Sequence, residues 1–504
     1  MIAEVLGPVL LLPLDQRMSD SATIVWFRRD LRIDDNPALA AAAARGEAII
    51  PVFIWAPDEE DWPDGAASRW WLHQSLGSLQ SDLARLRLRL IVRQGTAADE
   101  LQRLVNETKA TALFWNRRYE PKIIVRDTHL KAAFQTAGLT AESFNSSLLF
   151  EPWTIKTAAG TPFRVFTPFW RKCLAPGEPQ PPQSSPQRLK PPRQWPESLD
   201  VADLQLEPRV RWDSGLRQSW SPGTEGAARE LTRFVAEGQA GYSTQRDRPD
   251  HSGTSRLSPF LHFGELGPRQ VWHAIRQSVR QREPLNQDAI AEPFLRQLVW
   301  REFTHHLLYH YPRTVAEPLR EEFRAFPWQE NAAGLRAWQR GQTGYPYIDA
   351  GMRQLWKTGW MHNRVRMAVA SFLVKDLLGN WLEGAKWFWN TLVDADLANN
   401  TLGWQWTAGC SADAAPFFRV FNPVGQGERC DPEGRYVREW VPELARLPAK
   451  WIHKPWLAPQ EVLTAAEVVP GVTYPQPIVE HAAARRRALA ALATIKAGRT
   501  KVNE

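Results

Sequence analysis

Cysteine is nearly absent from this chain. Three residues in 504, Cys173, Cys410 and Cys430, stand far apart and without metal-ligand spacing. That pattern argues against a zinc site or a four-cysteine iron–sulfur cluster, so no metal is expected, and it fits a reducing cytoplasm. Long apolar runs are missing too: nothing approaches the roughly 20 residues of a membrane span. The apolar cluster at 9–14 is interrupted by Pro13, follows no Lys or Arg and precedes no small-residue cleavage site, so residues 1–20 are read as a disordered leader with Met18 as an alternative start. No G-x-G-x-x-G follows the first apolar run, which removes support for an ordinary dinucleotide site. Neither charge dominates: 62 Lys+Arg against 55 Asp+Glu leave +7, which permits nucleic-acid binding without requiring it. Tyrosine is sparse at 8, whereas tryptophan reaches 25. Core packing rarely needs so many indoles, so stacking, redox or ligand roles carry weight.

Between residues 21 and 150, short apolar runs at 23–27, 48–54, 88–92 and 112–115 alternate with helical patterns at 37–45, 68–86 and 97–108. This rhythm predicts an α/β domain with a parallel, doubly wound, Rossmann-like sheet. Proline recurs from Pro176 to Pro196, a composition that predicts an extended linker, and the junction between domains is placed at 151–225. From 226 to 475 the period is helical almost throughout, with helices expected at 227–237, 268–281, 289–309, 344–357, 363–378 and 381–394. The basic tail, 476–504, is expected to form one exposed helix over 481–498.

The stretch 344–422 concentrates the chemistry. It carries Asn363, Arg364, Arg366, Asp394, Asp396, Asn399, Asn400, Trp404 and Trp406. Taken singly, Asp caps helices, Asn makes turns and Arg is solvated. Together they suit a site that holds a flat polar ring, stabilises charge on it and passes electrons to it. Upstream, the run from Gly253 to Pro259 places three hydroxyls (Thr254, Ser255, Ser258) before a helix start. It reads either as a phosphate cradle or as a simple N-cap by Ser258.

These motifs carry a resemblance. Trp26-Phe27-Arg28-Arg29-Asp30-Leu31-Arg32, the run 253–259, Trp300-Arg301-Glu302-Phe303, Thr343-Gly344-Tyr345-Pro346, and the runs 359–367, 394–406 and 413–423 occur in the order found in DNA photolyases and cryptochromes. From Thr23 to about Trp456 the chain most resembles bacterial cyclobutane-pyrimidine-dimer photolyases. The resemblance implies an all-α domain holding a U-shaped FAD. Tyr242 and the loop of Thr254, Ser255, Arg256, Leu257 and Ser258 would hold its phosphates, with Arg301 nearby. Phe294 would pack near the cofactor. Asn363 and Arg366 would flank the isoalloxazine, with Asp394 and Asp396 at its polar edge and ribityl region and Asn400 facing N5. Trp328, Trp381 and Trp404 correspond to a surface-to-flavin electron chain. Trp300 and Trp406 would wall a flipped-out dimer, with Met367 and Asn363 lining the pocket, and Arg246, Arg364 and Arg419 would grip flanking phosphates. Ultraviolet-damaged DNA is the implied partner, with no membrane and no obligate protein partner.

Two positions depart from that pattern. Phe294 stands where some relatives carry Trp. Gln297 stands where dimer photolyases carry a Glu that hydrogen-bonds the substrate base, which implies weaker or redirected repair. Gln here also resembles (6-4) photolyases, but those need a His where this chain has Asn363. A blue-light receptor without repair is the rival reading. An antenna chromophore, methenyltetrahydrofolate or a deazaflavin, is expected in the sheet crevice near Asn116–Pro121; the residues there do not choose between them.

Overall fold

The computed structural model describes residues 21–282, 287–413 and 418–502. The leader 1–20 lies outside them. Strands β1 (Ala22–Phe27), β2 (Ala48–Trp55), β3 (Ile91–Gln94), β4 (Ala110–Asn116) and β5 (Thr140–Phe144) form one sheet in the order β3-β2-β1-β4-β5. Every pairing is parallel. The helices α1 (Pro37–Ala44), α2 (Ala66–Arg85), α3 (Ala97–Thr108) and α4 (Pro121–Thr136) connect the strands. Both faces of the sheet are covered, as a parallel sheet requires: Val25 and Phe27 point into one core, Ile24 and Trp26 into the other.

The expected strand at 88–92 begins three residues later, and β5 is an additional strand. Pro51 interrupts β2, yet costs no ladder bond. The Ile49 amide donates to Lys190 O at 2.9 Å, so the amides of that side face the proline-rich segment, and β3 joins only at Val52. The segment touches the sheet there through one isolated parallel bridge, Ala48 with Lys190.

The span 151–225 is more than a linker. It contains α5 (Phe166–Leu174), whose Phe166, Phe169, Trp170 and Cys173 are buried. They pack on the long helix Gln287–His310, where Phe166 stacks on Trp300 with centroids 3.8 Å apart. The rest is helical as expected, with three differences. The helix after Trp381 ends at Thr391, so Asp394 lies in a turn. The helices following Thr224 and Asn363 pass into π-helical turns at Phe234–Gly238 and Phe372–Asp376. A further helix, Leu397–Ala408, follows Asp396.

The C-terminal helix His481–Val502 is not simply exposed. Its Ala488, Ala491 and Ile495 join the core. His481 Nδ1 lies 2.6 Å from Asp376 Oδ1, and Arg487 Nη2 donates to Asp376 O at 2.5 Å. The Thr343–Pro346 motif is structural: Asp349 accepts from the Thr343 amide and hydroxyl, the Gly344 amide and the Tyr474 hydroxyl at 2.6–3.1 Å. Among the described residues, no helix is long and apolar enough to cross a membrane, and no group of His, Cys, Asp or Glu could hold a metal ion.

Candidate functional site

Three elements meet at Asp394. Ser258 is the first residue of the helix Ser258–Phe263, and its hydroxyl donates to Asp394 Oδ2 at 2.6 Å. Arg366, one turn into the helix Asn363–Ser371, donates from Nη2 to the same oxygen at 2.7 Å and from Nε to Met361 O at 2.7 Å. The reading of Ser258 as an N-cap is thereby corrected: its hydroxyl crosses to Asp394, and the cap position falls on Leu257 without a side-chain bond. Asp394 Oδ1 is buried and has no hydrogen-bond partner. An orphaned carboxylate oxygen beside an arginine is a polar edge awaiting a donor, because such burial without a partner is otherwise costly.

The loop before Ser258 turns inward. Arg256 adopts a left-handed φ of 52°, lies 4.2 Å over Trp220 and 5.5 Å from Trp360, and donates to Ser219 O at 3.1 Å. Thr254 O accepts from Arg233, and Ser255 Oγ accepts weakly from the Leu257 amide at 3.4 Å. Arg256 thus holds the loop's shape through stacking, with its guanidinium turned toward indoles. Tyr242, Phe234 and Phe294 form one aromatic cluster beside this loop's neighbouring turn, with Tyr242 and Phe294 edge-to-face at 5.3 Å.

Asp396 has a different fate from Asp394. Its Oδ1 caps the helix Leu397–Ala408 by accepting from the Asn399 amide at 2.8 Å, and the Asn399 side-chain amide adds a bond at 2.7 Å. Its Oδ2 faces His305 Nε2 at 3.4 Å and His262 Nδ1 at 3.9 Å. His305 Nδ1 lies 2.9 Å from Arg301 O, so both ring nitrogens face acceptors, an arrangement that favours the protonated imidazole. Burial opposes that charge, but Asp396 overcomes it and raises the His305 pKa. Burial likewise opposes ionisation of Asp396, and His305 with His262 holds its pKa well below the usual carboxylate range.

Arg301 belongs to this second neighbourhood. Its Nη1 donates to Ser147 O at 2.6 Å, across the seam to the sheet domain. Arg301, His262, His305 and Asp396 share a pocket with Arg29, Asn116, Arg118 and Glu120, at the carboxyl ends of β1 and β4. Arg118 is clamped by Glu120 in this pocket and by Glu60 beyond it, both at 2.7 Å, and Arg28, outside its lining, pairs with Asp127 at 2.6 Å.

Asn400 is buried, and its Nδ2 donates to Ala385 O at 2.9 Å, which orients the side chain and leaves its carbonyl oxygen as the outward atom. Trp404, one turn on, is buried against Phe388 (5.0 Å) and Trp338 (6.0 Å). It reaches the helix Trp381–Thr391 because Gly384 has no Cβ to collide with its ring. Trp381 is buried in the same core, while Trp328 is only half-buried, 4.4 Å from Phe326.

On the outer side, Trp406 and Met367 are half-buried and Asn363 is exposed. One face of Trp300 is covered by Phe166. Gln297 Nε2 donates to Pro293 O at 3.3 Å. Arg246 lies 6.0 Å over Tyr242, Arg364 pairs with Asp247 at 2.6 Å, and Arg419 is exposed. Of the motif 413–423, residues 414–417 lie outside the described residues.

The family model for the FAD binding domain of DNA photolyase matches residues 294–494, and that for the DNA photolyase domain matches 23–187. A deoxyribodipyrimidine photo-lyase of Agrobacterium fabrum is 46% identical over 95% of this chain and 99% of its own length. The chain belongs to the DNA photolyase/cryptochrome family. Cryptochrome-1 of Arabidopsis thaliana is 41% identical over 92% of this chain and 68% of its own length. The crystal structure of a bacterial class III photolyase from Agrobacterium tumefaciens superposes with a TM-score of 0.91 at 46% identity, covering 95% of this chain and 99% of that one.

Within this photolyase/cryptochrome chain the matched FAD-binding domain contains Asp394, Asp396, Arg366 and Asn400 but neither Tyr242 nor the 253–258 loop. The residues present fit a flavin: Asp394 offers a buried unpartnered oxygen, Arg366 a cation beside it, and Asn400 an anchored carbonyl. Sequence reasoning missed His305 beside Asp396, the buried Glu302 that accepts from the Leu149 and Phe150 amides, and Trp338 against Trp404. Glu302 stands inside a quoted motif, but nothing in a sequence marks a glutamate as buried.

Proposed function

We propose that this photolyase/cryptochrome protein repairs cyclobutane pyrimidine dimers in ultraviolet-damaged DNA under light. The reading is carried by one helix. Leu397–Ala408 presents Asn400, Trp404 and Trp406, so the flavin-facing, electron-carrying and lesion-facing groups share a rigid element. Bound reduced FAD would supply the light absorption and the electron that splits the cyclobutane ring, and would recover that electron afterwards.

The chain's own residues bind and orient. Arg366, paired with Asp394, favours negative charge on the ring by direct attraction. Asn400, fixed through Ala385, would turn its carbonyl oxygen as an acceptor toward the flavin. Trp328, Trp381 and Trp404 run from a half-exposed to two buried indoles, in the order an inward electron relay requires. Trp300 and Trp406 flank the dimer, and Arg246, Arg364 and Arg419 hold backbone phosphates. Gln297, anchored through its amide nitrogen, offers a neutral oxygen to the substrate base, and repair per photon is correspondingly modest. A folate or deazaflavin antenna would enter at the crevice lined by Asn116, Arg118 and Glu120; the absorption spectrum of purified protein identifies it.

The test binds dimer-containing DNA in the dark, illuminates it and assays restored thymines. Restoration that is lost in Trp406→Ala supports the reading. An intact lesion with normal flavin photoreduction points to a blue-light receptor, the second reading favoured by the similarity to cryptochrome-1. Trp404→Phe should abolish photoreduction; undiminished photoreduction would remove Trp404 from the relay.

A further inference from the structure

We infer that Asp247 is a specificity-determining residue that withholds Arg364 from undamaged DNA. The inference rests on the DNA-facing reading of Arg364 given above. In the free protein the guanidinium is occupied along its edges. Nη2 donates to Asp247 Oδ1 at 2.6 Å, Nε approaches the same oxygen at 3.2 Å, and Nη1 lies 3.8 Å from Met367 Sδ. The Arg364 side chain is 21% exposed and that of Asp247 50%, so the pair sits at the surface with its arginine partly sunk.

The position of this carboxylate is what gives it meaning. Asp247 directly follows Arg246, whose guanidinium lies over Tyr242, so an acid stands between two arginines proposed to meet phosphates. A carboxylate on a guanidinium is a chemical stand-in for a phosphate, since both present anionic oxygens to the same donors. While Met367 covers Nη1, a backbone phosphate that takes Arg364 must displace Asp247. For an undamaged duplex that exchange replaces one anionic partner by another and gains little. A flipped dimer changes the exchange, because it enters the pocket that Met367 lines. Moving the thioether away from Nη1 frees that edge for the flanking phosphate while Nε and Nη2 keep Asp247, so the damaged complex need not break the pair. Asp247 is thus a built-in competitor that weakens the wrong complex more than the right one.

The test uses the full-length, FAD-loaded protein in the dark. Asp247→Asn is compared with the parent on an undamaged duplex and on the same duplex carrying one thymine dimer, across a range of salt. Affinity for undamaged DNA should rise about 2- to 5-fold, the value of an exposed pair. Its salt dependence should steepen by about one counterion, and affinity for the damaged duplex should change less than about 2-fold. Equal tightening on both duplexes, or no change on either, overturns the inference. In an Arg364→Ala background Asp247→Asn should no longer affect undamaged binding; a persisting gain would mean a general charge effect and also overturns it. If Arg364→Ala alone leaves both duplexes bound as before, the DNA-facing reading of Arg364 falls and the inference falls with it. If Arg364→Ala weakens damaged binding while Asp247→Asn is inert, only the role of Asp247 falls.

Discussion

Asp394 and Asp396 are two residues apart, yet they belong to different regions of the molecule. Asp394 faces the helical domain's interior, where Ser258 and Arg366 share one of its oxygens and the other is buried without a partner. Asp396 faces the seam between sheet and helices, where Asn399 takes one oxygen and His305 with His262 the other. The seam clamps its arginines with carboxylates, yet it too holds buried polar atoms without a partner, Glu302 Oε1, His262 Nε2 and Arg29 Nη1 among them. The cradle leaves one group open, and an open buried acceptor is what a ligand completes. The two acids thus sit in two polar neighbourhoods, one proposed to meet the flavin ring and the other continuous with the crevice proposed for the antenna, and both are rich in ionisable groups.

The strongest way to break that comparison is to neutralise each acid in turn. Asp394→Asn keeps the shape but strands Arg366 beside the ring position, and breaking a buried pair costs about 3–5 kcal/mol, more than a hundredfold in affinity. The purified variant should lose its flavin, read as the ratio of visible to ultraviolet absorbance. Asp396→Asn should instead retain flavin. Asn caps a helix about as well as Asp, so the loss isolates the ion pair with His305, and denaturant unfolding should show about 3 kcal/mol of destabilisation. Flavin loss in the second variant with retention in the first would invert the assignment.

The seam should also respond to pH. Burial pushes Glu265 up to about 8, against hydrogen bonds from Ser75, the Gly223 amide and Trp71. Burial likewise pushes Glu302 up to about 7. A carboxyl whose folded pKa lies above 4.5 holds a proton that the unfolded chain releases, so stability falls as pH rises from about 4.5 toward those values. His305, raised above 6.5, has the same sign: its contribution is complete below 6.5 and is lost as pH climbs through its folded value. Asp396 is opposite, contributing above 3.8 and failing only in strong acid. The contribution of Glu265, Glu302 and His305 to stability should therefore decline from about pH 5 to about pH 9. His306 and His362, pulled down to about 4 by burial, act in the opposite sense up to about pH 6.5. Glu265→Gln, which keeps an acceptor but cannot ionise, should flatten the decline by about 2 kcal/mol, since water entering on ionisation relieves part of the full burial penalty. An unchanged slope would remove Glu265 from the seam's titration.

The residues explain how much of this was legible beforehand. Central parallel strands are apolar on both faces, so β1, β2 and β4 stood out as continuous runs. The edge strand β5 alternates exposed Thr140 and Glu142 with its buried Ala141 and has no such run. The helix Leu397–Ala408 escaped because Asn399, Asn400, Thr401 and Gly403 are poor helix formers; the Asp396 cap and tertiary packing hold it. The motif identified both acids as site residues, but a spacing of two cannot say which one meets histidines from a distant helix. Arg256 and Ser258 were singled out from the run 253–259, but their directions, toward Trp220 and Asp394, required the fold.

The smallest expected effect probes the boundary between the regions, on the helix Gln287–His310. Gln297 looks toward the proposed lesion pocket, while Arg301 and Glu302, one turn on, hold the seam. The Gln297 amide nitrogen is tied to Pro293 O, so its oxygen is the atom free to accept, as a carboxylate would. Gln297→Glu would add charge to that acceptor, but it would lose the tie and set a carboxylate against the Pro293 carbonyl. A charged hydrogen bond exceeds a neutral one by about 1 kcal/mol, and the lost tie returns part of that. The repair quantum yield should therefore rise by less than about fivefold, with the flavin spectrum unaltered. A yield that did not rise would mean that the neutral acceptor does not limit repair, and a displaced flavin spectrum would place Gln297 against the cofactor.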